Sequence, residues 1–220
     1  MEIVILLYKG FTAMDVVGAY EMLCRLPEAQ VKFAAKETGV IESEYASMKM
    51  LAAHRLAEIE RADILLVPGS TFAFMQVTQH KEVLQHIRRI DQTTAWTVSV
   101  CTGSIILGAA GLLKNKQATT HWAMLDKLSQ FGAHPKSERY VQDGKLITAA
   151  GVSAGMDMGL FLAGLVAGED YAKMLQLVTE YFPEPPGNIP NLTDVPNQTE
   201  ADARVFLKGE ILKMSNAITV

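Results

Sequence analysis

Three stretches of the chain are apolar at nearly every consecutive position rather than at alternate ones, Glu2–Leu7, Val31–Ala35 and Ala62–Val67, and a fourth, Ala95–Val100, is a β-rich run. That pattern predicts strands covered on both faces, the kind found inside a parallel sheet. Between them the apolar period lengthens to that of a helix. Ala13 to Arg25 reads as one, with Thr12 as its cap and Asp15 in the capping-box position. Lys81–Asp91 reads as another, with Val83, Leu84 and Ile87 on one face and Arg88 and Arg89 exposed. A helix also follows Cys101 at once. Residues 40–53 form a looser β region suited to a small hairpin. Further on, a short strand Gln117–Thr120 leads into a helix ending at Phe131. Arg139–Gln142 and Lys145–Ala149 flank Asp143-Gly144, a two-residue hairpin signal. Ser153 is placed to cap a helix running to about Val166, and Glu169–Tyr181 follows as another. A proline-rich segment, about 183–198, predicts irregular chain before a last amphipathic helix at about 199–214.

Strands alternating with helices predict an α/β fold, a doubly wound and mostly parallel sheet flanked by helices. No repeat, low-complexity tract or linker divides the chain, so residues 1–220 are expected to form a single domain. Ligands of such sheets bind beyond the carboxyl ends of the strands. The loops following Leu7, Val67 and Val100 should therefore line a site. They carry Asp15, Gly69-Ser70 and Cys101-Thr102.

Composition narrows the functional classes. With 220 residues, 49% hydrophobic and 20% charged, the chain has the make-up of a globular enzyme. A formal charge of −4, with no basic arm or stripe, gives no reason to expect a nucleic-acid partner. The two cysteines, Cys24 and Cys101, are too few for a disulfide framework and suit a reducing, cytoplasmic setting. The apolar N-terminal run lacks a basic flank and a small-residue cleavage site, which fits a first buried strand. The apolar stretch Gly151–Gly168 is broken by Asp157 and rich in glycine, so a buried helix is expected and no membrane partner.

Cys101 carries the candidate chemistry. A strand that feeds a helix through so tight a turn pushes the intervening side chain out over the sheet edge, as in the nucleophile elbow described for serine. A thiol at the start of a helix also feels the unpaired amides there, which favour thiolate. Taken alone, Cys101 suits a small buried hydrophobe equally well, and Asp15 suits a helix-start residue. Cys24 reads as a core thiol. The histidines are scattered and no His, Cys, Asp or Glu cluster has ligand spacing, so no metal and no cofactor are implied.

Four segments in order carry a resemblance: Leu66-Val67-Pro68-Gly69, the cysteine elbow, Ala118-Thr119-Thr120-His121-Trp122, and Gly151-Val152-Ser153-Ala154-Gly155-Met156-Asp157. With them the chain resembles the DJ-1/PfpI superfamily, whose sheet is a flavodoxin-like three-layer sandwich. Met14-Asp15-Val16-Val17-Gly18 and Glu180-Tyr181-Phe182-Pro183-Glu184-Pro185-Pro186 point within it to the isocyanide hydratase branch. The likeness covers residues 1 to about 190. Members with protease or amidotransferase chemistry place a histidine directly after the nucleophile; here that position is Thr102. The hydratase branch has a second glycine where this chain has Ser70. AraC-type regulators share the sheet domain and append a helix-turn-helix domain, for which this chain is too short.

The resemblance implies a lyase that adds water to an isocyanide. Cys101 would be the nucleophile and Asp15 the acid and base, the two sharing a proton. Thiolate attack at the terminal carbon, with a proton delivered by the acid, gives a thioimidate, and water then releases an N-substituted formamide. The amides of Gly69 and Thr102 would polarise the intermediate, with Ser70, Gly103 and Ser153 in the binding region. The Thr102 hydroxyl either bonds the reacting pair or caps its helix. His121 either contacts the site or only braces a loop with Trp122 behind it, the bracing role being preferred. The helix terminus should lower the Cys101 pKa, moderated by Asp15. Two rivals remain: a glyoxalase- or deglycase-like activity on small aldehydes, and a redox-sensing or ligand-binding domain without turnover. The superfamily commonly dimerises, and Phe206, Leu207, Ile211 and Leu212 suit either a homodimer interface or internal docking.

Overall fold

The apolar runs become the centre of a sheet because each sends successive side chains to opposite faces, and both faces are covered. The computed structural model describes residues 1–187, 189 and 191–218. Its elements in chain order are β1 (Glu2–Leu6), α1 (Ala13–Leu23), β2 (Gln30–Ala35), β3 (Gly39–Glu42), β4 (Lys49–Ala52), β5 (His54–Arg55), β6 (Ile64–Val67), α2 (Phe74–Gln79), α3 (Lys81–Asp91), β7 (Trp96–Val100), α4 (Gly103–Ala109), β8 (Gln117–Ala118), β9 (His134–Pro135), β10 (Tyr140–Asp143), β11 (Leu146–Ala149), α5 (Ala154–Ala167), α6 (Glu169–Val178) and α7 (Asn197–Ile218).

Seven strands form the main sheet in the order β10-β11-β7-β6-β1-β2-β5. All neighbours are parallel except the β10–β11 hairpin, whose turn residues are Gly144 and Lys145, one position later than expected, because Asp143 still pairs with Leu146. In β1, Ile3 and Ile5 face a layer containing Val16, Met22, Met158 and Leu162 from α1 and α5. Val4 and Leu6 face the other layer, built by Phe74, Ile87, Ile106 and Leu128. Helices therefore cover both sides, as the alternation predicted.

The hairpin in the looser β region is β3 paired with β4. Its connecting loop folds back toward the end of β1, where the Glu44 amide donates to the Phe11 carbonyl at 3.0 Å. That fold-back brings Glu44 to the carboxyl end of the sheet.

Several local expectations are corrected. Thr12 does not cap α1 with its side chain; its hydroxyl donates to Glu44 Oε1 at 3.0 Å, and the Asp15 side chain turns inward. Ser153 does not cap α5. Its backbone is already helical, at φ −71° and ψ −18°, whereas a capping side chain works from an extended residue. Arg89 is half-buried, donating to the carbonyls of Ile59 and Leu56 at 2.6 and 2.9 Å. Residues 122–131 coil as a 3₁₀ helix rather than an α-helix. α2 was not anticipated, and α7 is longer than expected. Of the proline-rich segment, Asn188 and Pro190 lie outside the described residues; the others hold one 3₁₀ turn, Leu192–Asp194. Among the described residues no helix is long and apolar enough to cross a membrane.

Candidate active site

At the end of β7 the chain turns into α4 through Cys101, whose φ of +56° lies in the left-handed region. A side-chain-bearing residue held there is strained, and such strain persists only when the surroundings fix it. Four hydrogen bonds do so. The Cys101 amide donates to the carbonyls of Ala150 at 2.8 Å and Ala149 at 3.1 Å. Its carbonyl accepts from the Thr120 hydroxyl at 2.9 Å and the Ser104 hydroxyl at 3.2 Å. Thr120 of that motif thus braces the turn, whereas Thr119 bonds Thr148 and Glu138.

The loops after β6 and β7 are in direct contact. A Cβ on Gly103 would lie 2.1 Å from the Val67 carbonyl oxygen, and one on Gly69 2.4 Å from the Thr102 nitrogen. Backbone meets backbone at both points, so only glycine fits. Thr102 completes the clasp: its Oγ1 accepts from the Ser70 amide at 2.9 Å and donates to the Ser70 carbonyl at 2.8 Å. The Thr102 hydroxyl therefore neither bonds the reacting pair nor caps α4. The Ser70 hydroxyl is likewise engaged, accepting from the Phe74 amide at 2.7 Å at the start of α2.

Asp15, fully buried, reaches from α1 to the same point. Its Oδ2 accepts from the Gly69 amide at 2.9 Å, while Oδ1 has no conventional hydrogen-bond partner. The polar group facing it is the Cys101 thiol, itself 5% exposed. The Gly69 amide is thus consumed by Asp15 and does not polarise an intermediate. The amides that face the sulfur are those of Thr102 and Val152.

Both members of the pair resist negative charge. Burial, then the Asp15 charge, pushes the Cys101 thiol well above its usual range, against the Thr102 and Val152 amides. The expected lowering by the helix terminus is overridden by desolvation. Burial likewise raises Asp15, opposed by the Gly69 amide and reinforced by Glu44. Two residues that the sequence reading overlooked complete the network. Glu44 accepts from the Thr12 hydroxyl and, through Oε2, from the Thr71 amide at 2.9 Å. Tyr8 donates to the Pro68 carbonyl at 3.1 Å, and burial raises its phenol well above the usual value.

A cavity of about 490 Å³ opens over this cluster. Cys101, Thr102, Ser70 and His121 line it, together with Glu44, Met124, Val152 and the inner face of α7. Asp15 and Gly69 lie behind Cys101, and Gly103 lies beneath the clasp. Ser153 stands apart on the surface, its hydroxyl accepting from Arg139 Nη2 at 2.9 Å. His121, expected behind the site, borders the cavity. Its Nδ1 accepts from the Ala123 amide at 3.4 Å, which leaves the proton of a neutral ring on Nε2. Burial lowers its pKa, so the ring is neutral at pH 7. Among the described residues no group of three His, Cys, Asp or Glu side chains is placed to hold a metal ion.

The DJ-1/PfpI family matches residues 1–164, and the chain belongs to it. It is 35% identical over 204 residues to isonitrile hydratase from Pseudomonas putida, a match spanning 93% of this chain and 89% of that one. It is 28% identical over 177 residues to the HTH-type transcriptional regulator CdhR from Pseudomonas aeruginosa, covering 76% of this chain but 51% of the regulator. Among solved structures, a ThiJ/PfpI family protein from Pseudomonas syringae superposes with a TM-score of 0.90 at 34% identity, over 98% of this chain and 89% of that one. DJ-1beta from Drosophila melanogaster shares the fold, with a TM-score of 0.73 at 18% identity over 82% of this chain and 98% of its own.

Proposed function

We propose that the chain is an isocyanide hydratase, converting an isocyanide and water to an N-substituted formamide without a cofactor. The observation that carries this reading is the Asp15 carboxyl, fixed by the Gly69 amide against the Cys101 thiol at the base of the cavity. The 35% identity to isonitrile hydratase supports the substrate class.

An isocyanide carbon has a lone pair to protonate and an empty orbital to attack, so it suits a neutral pair that adds S–H. Asp15 gives its own proton to the carbon and takes the thiol proton in its place as the S–C bond forms, leaving R–N=CH–S–Cys101 and Asp15 again protonated. Water then adds to that carbon; one of its protons passes through Asp15 to the nitrogen. Collapse of the tetrahedral species returns the hydroxyl proton to sulfur and breaks the C–S bond, releasing R–NH–CHO. The sum is one isocyanide plus one water. Because the pair resists charge, no free thiolate need accumulate. The Thr102 and Val152 amides face the sulfur and stabilise charge developing on it when the bond breaks.

The test is incubation with an aryl isocyanide, following formamide, with Cys101→Ala and Asp15→Asn beside the parent. Product from the parent, lost in both variants, is expected. No product from reduced parent protein overturns the hydratase reading. A second reading, an aldehyde-directed activity, is favoured by His121 at the cavity wall; turnover of methylglyoxal but not of isocyanides would select it.

A homodimer is part of the same proposal. Val205, Phe206 and Leu212, on α7, are 70%, 65% and 63% exposed. Apolar side chains that open to water suit a contact with a second copy. A monomeric mass by light scattering at micromolar protein would overturn it.

A further inference from the structure

Arg204, Leu207, Lys208 and Ile211 all line the cavity that holds Cys101. Spacings of three, four and seven residues place them on one side of α7. Two side-chain contacts fix that side over the cavity. The Arg204 guanidinium stacks on Trp122, 4.7 Å from the ring centroid, beside His121 on one wall. Six residues further on, Glu210 accepts from the Tyr45 hydroxyl at 3.1 Å, beside Glu44 on another wall. α7 therefore spans from one wall to the other, across the end of the cavity away from the sheet edge that carries Cys101. The branched apolar side chain of Leu207 stands between the two contacts and that of Ile211 directly after the second, both on the cavity. Both lie beyond residue 164, where the match to the family ends.

We propose that Leu207 and Ile211 are specificity-determining residues, which set the size of the apolar substituent that an accepted isocyanide carries. The substrate class in this assignment rests on the hydratase reading. The linear N≡C unit carries its substituent away from the carbon that sulfur attacks, toward the α7 wall. Near the sulfur, the polar groups of Ser70, Thr102 and Glu44 are engaged with protein partners and have little capacity left to select a substituent. Selection thus falls to the apolar wall, where a change of one methylene is worth about 10–200-fold in a fitted pocket.

The experiment compares methyl, cyclohexyl and naphthyl isocyanides as substrates of the full chain and of Leu207→Ala, Ile211→Ala and Leu207→Trp. The alanine variants are expected to raise kcat/KM for the naphthyl compound about tenfold relative to the methyl one. The tryptophan variant should lower it for the cyclohexyl compound at least about tenfold, with methyl isocyanide within about threefold of the parent. A change by one common factor across all three substrates overturns the proposal. Alkylation of Cys101 by iodoacetamide and by N-naphthyl iodoacetamide is measured in parallel and needs no turnover. If the parent hydrates none of the isocyanides, the hydratase reading falls. Faster naphthyl alkylation in the alanine variants alone then still supports the size-selecting wall, and equal rates in all variants overturn it.

Discussion

The amide of Gly69 donates to Oδ2 of Asp15 at 2.9 Å, across 54 positions of sequence, and so aims the other carboxyl oxygen at Cys101. This one bond ties α1, the loop after β6 and the cysteine turn into a single unit. Asp15→Asn keeps an oxygen for the Gly69 amide but removes the group proposed to relay the proton. Loss of hydration activity by about 10²–10⁴-fold is expected, the range of a general acid–base. The same variant removes a charge that raises the thiol pKa, so alkylation of Cys101 by iodoacetamide should move to lower pH. An unchanged alkylation profile would show that the carboxyl does not act on the sulfur.

Burial makes Asp15 a stability liability at neutral pH. The folded carboxyl holds its proton more tightly than the unfolded one. Its contribution is therefore fully present below the usual carboxylate range and is lost as pH rises through the raised value. Asparagine has no such dependence. The melting temperature of Asp15→Asn relative to the parent should be close to zero difference near pH 4 and rise toward pH 8. Each unit by which the value is raised is worth about 1.4 kcal/mol, or roughly 2–4 °C per kcal/mol in a domain of this size. A constant difference across that pH range would refute this account.

The elements legible in sequence were those whose signal is local. β1 and β6 announced themselves as continuous apolar runs, β7 as a β-rich run ending at a cysteine, and α3 by its 3.6-residue period, down to its end residues. α2 has six residues, too short for a period to emerge. Cys101 and Asp15 were legible because a turn and a motif mark them. Glu44 and Tyr8 were not, since both reach the site only when loops from different strands meet. The roles of hydroxyls were least legible. Thr12, Thr102 and Ser153 each had a plausible local bond, and in all three a tertiary partner replaced it, while the Ser70 hydroxyl, expected in the binding region, serves a helix start.

Gly103 is the position least able to accept a side chain. An added Cβ meets the Val67 carbonyl oxygen at 2.1 Å and the Pro68 carbonyl carbon at 3.0 Å. Both are backbone at the end of a central strand, so neither yields without moving β6. Gly103→Ala is expected to cost at least about 3 kcal/mol, the upper range for overpacking. Urea unfolding with an unchanged slope and an earlier midpoint is the measurement. Stability within about 1 kcal/mol of the parent would mean that the two loops separate easily.

Thr102 offers the sharpest division between chemistry and support. Its hydroxyl bonds the Ser70 amide and carbonyl and does not reach the reacting pair, yet its own amide faces the sulfur. Thr102→Val keeps the shape and the amide but leaves two buried backbone groups of Ser70 unpaired. Each such group costs about 1–3 kcal/mol. Thr102→Ser restores the hydroxyl and gives up only a methyl group. If the role is the clasp, valine should lower both stability and kcat, and serine should recover both together. The pH profile of Cys101 alkylation should keep its midpoint in the serine variant, because the backbone donors remain in place. Recovery of stability by serine without recovery of kcat would instead show that the threonine methyl group, packed at the cavity wall, orients the substrate.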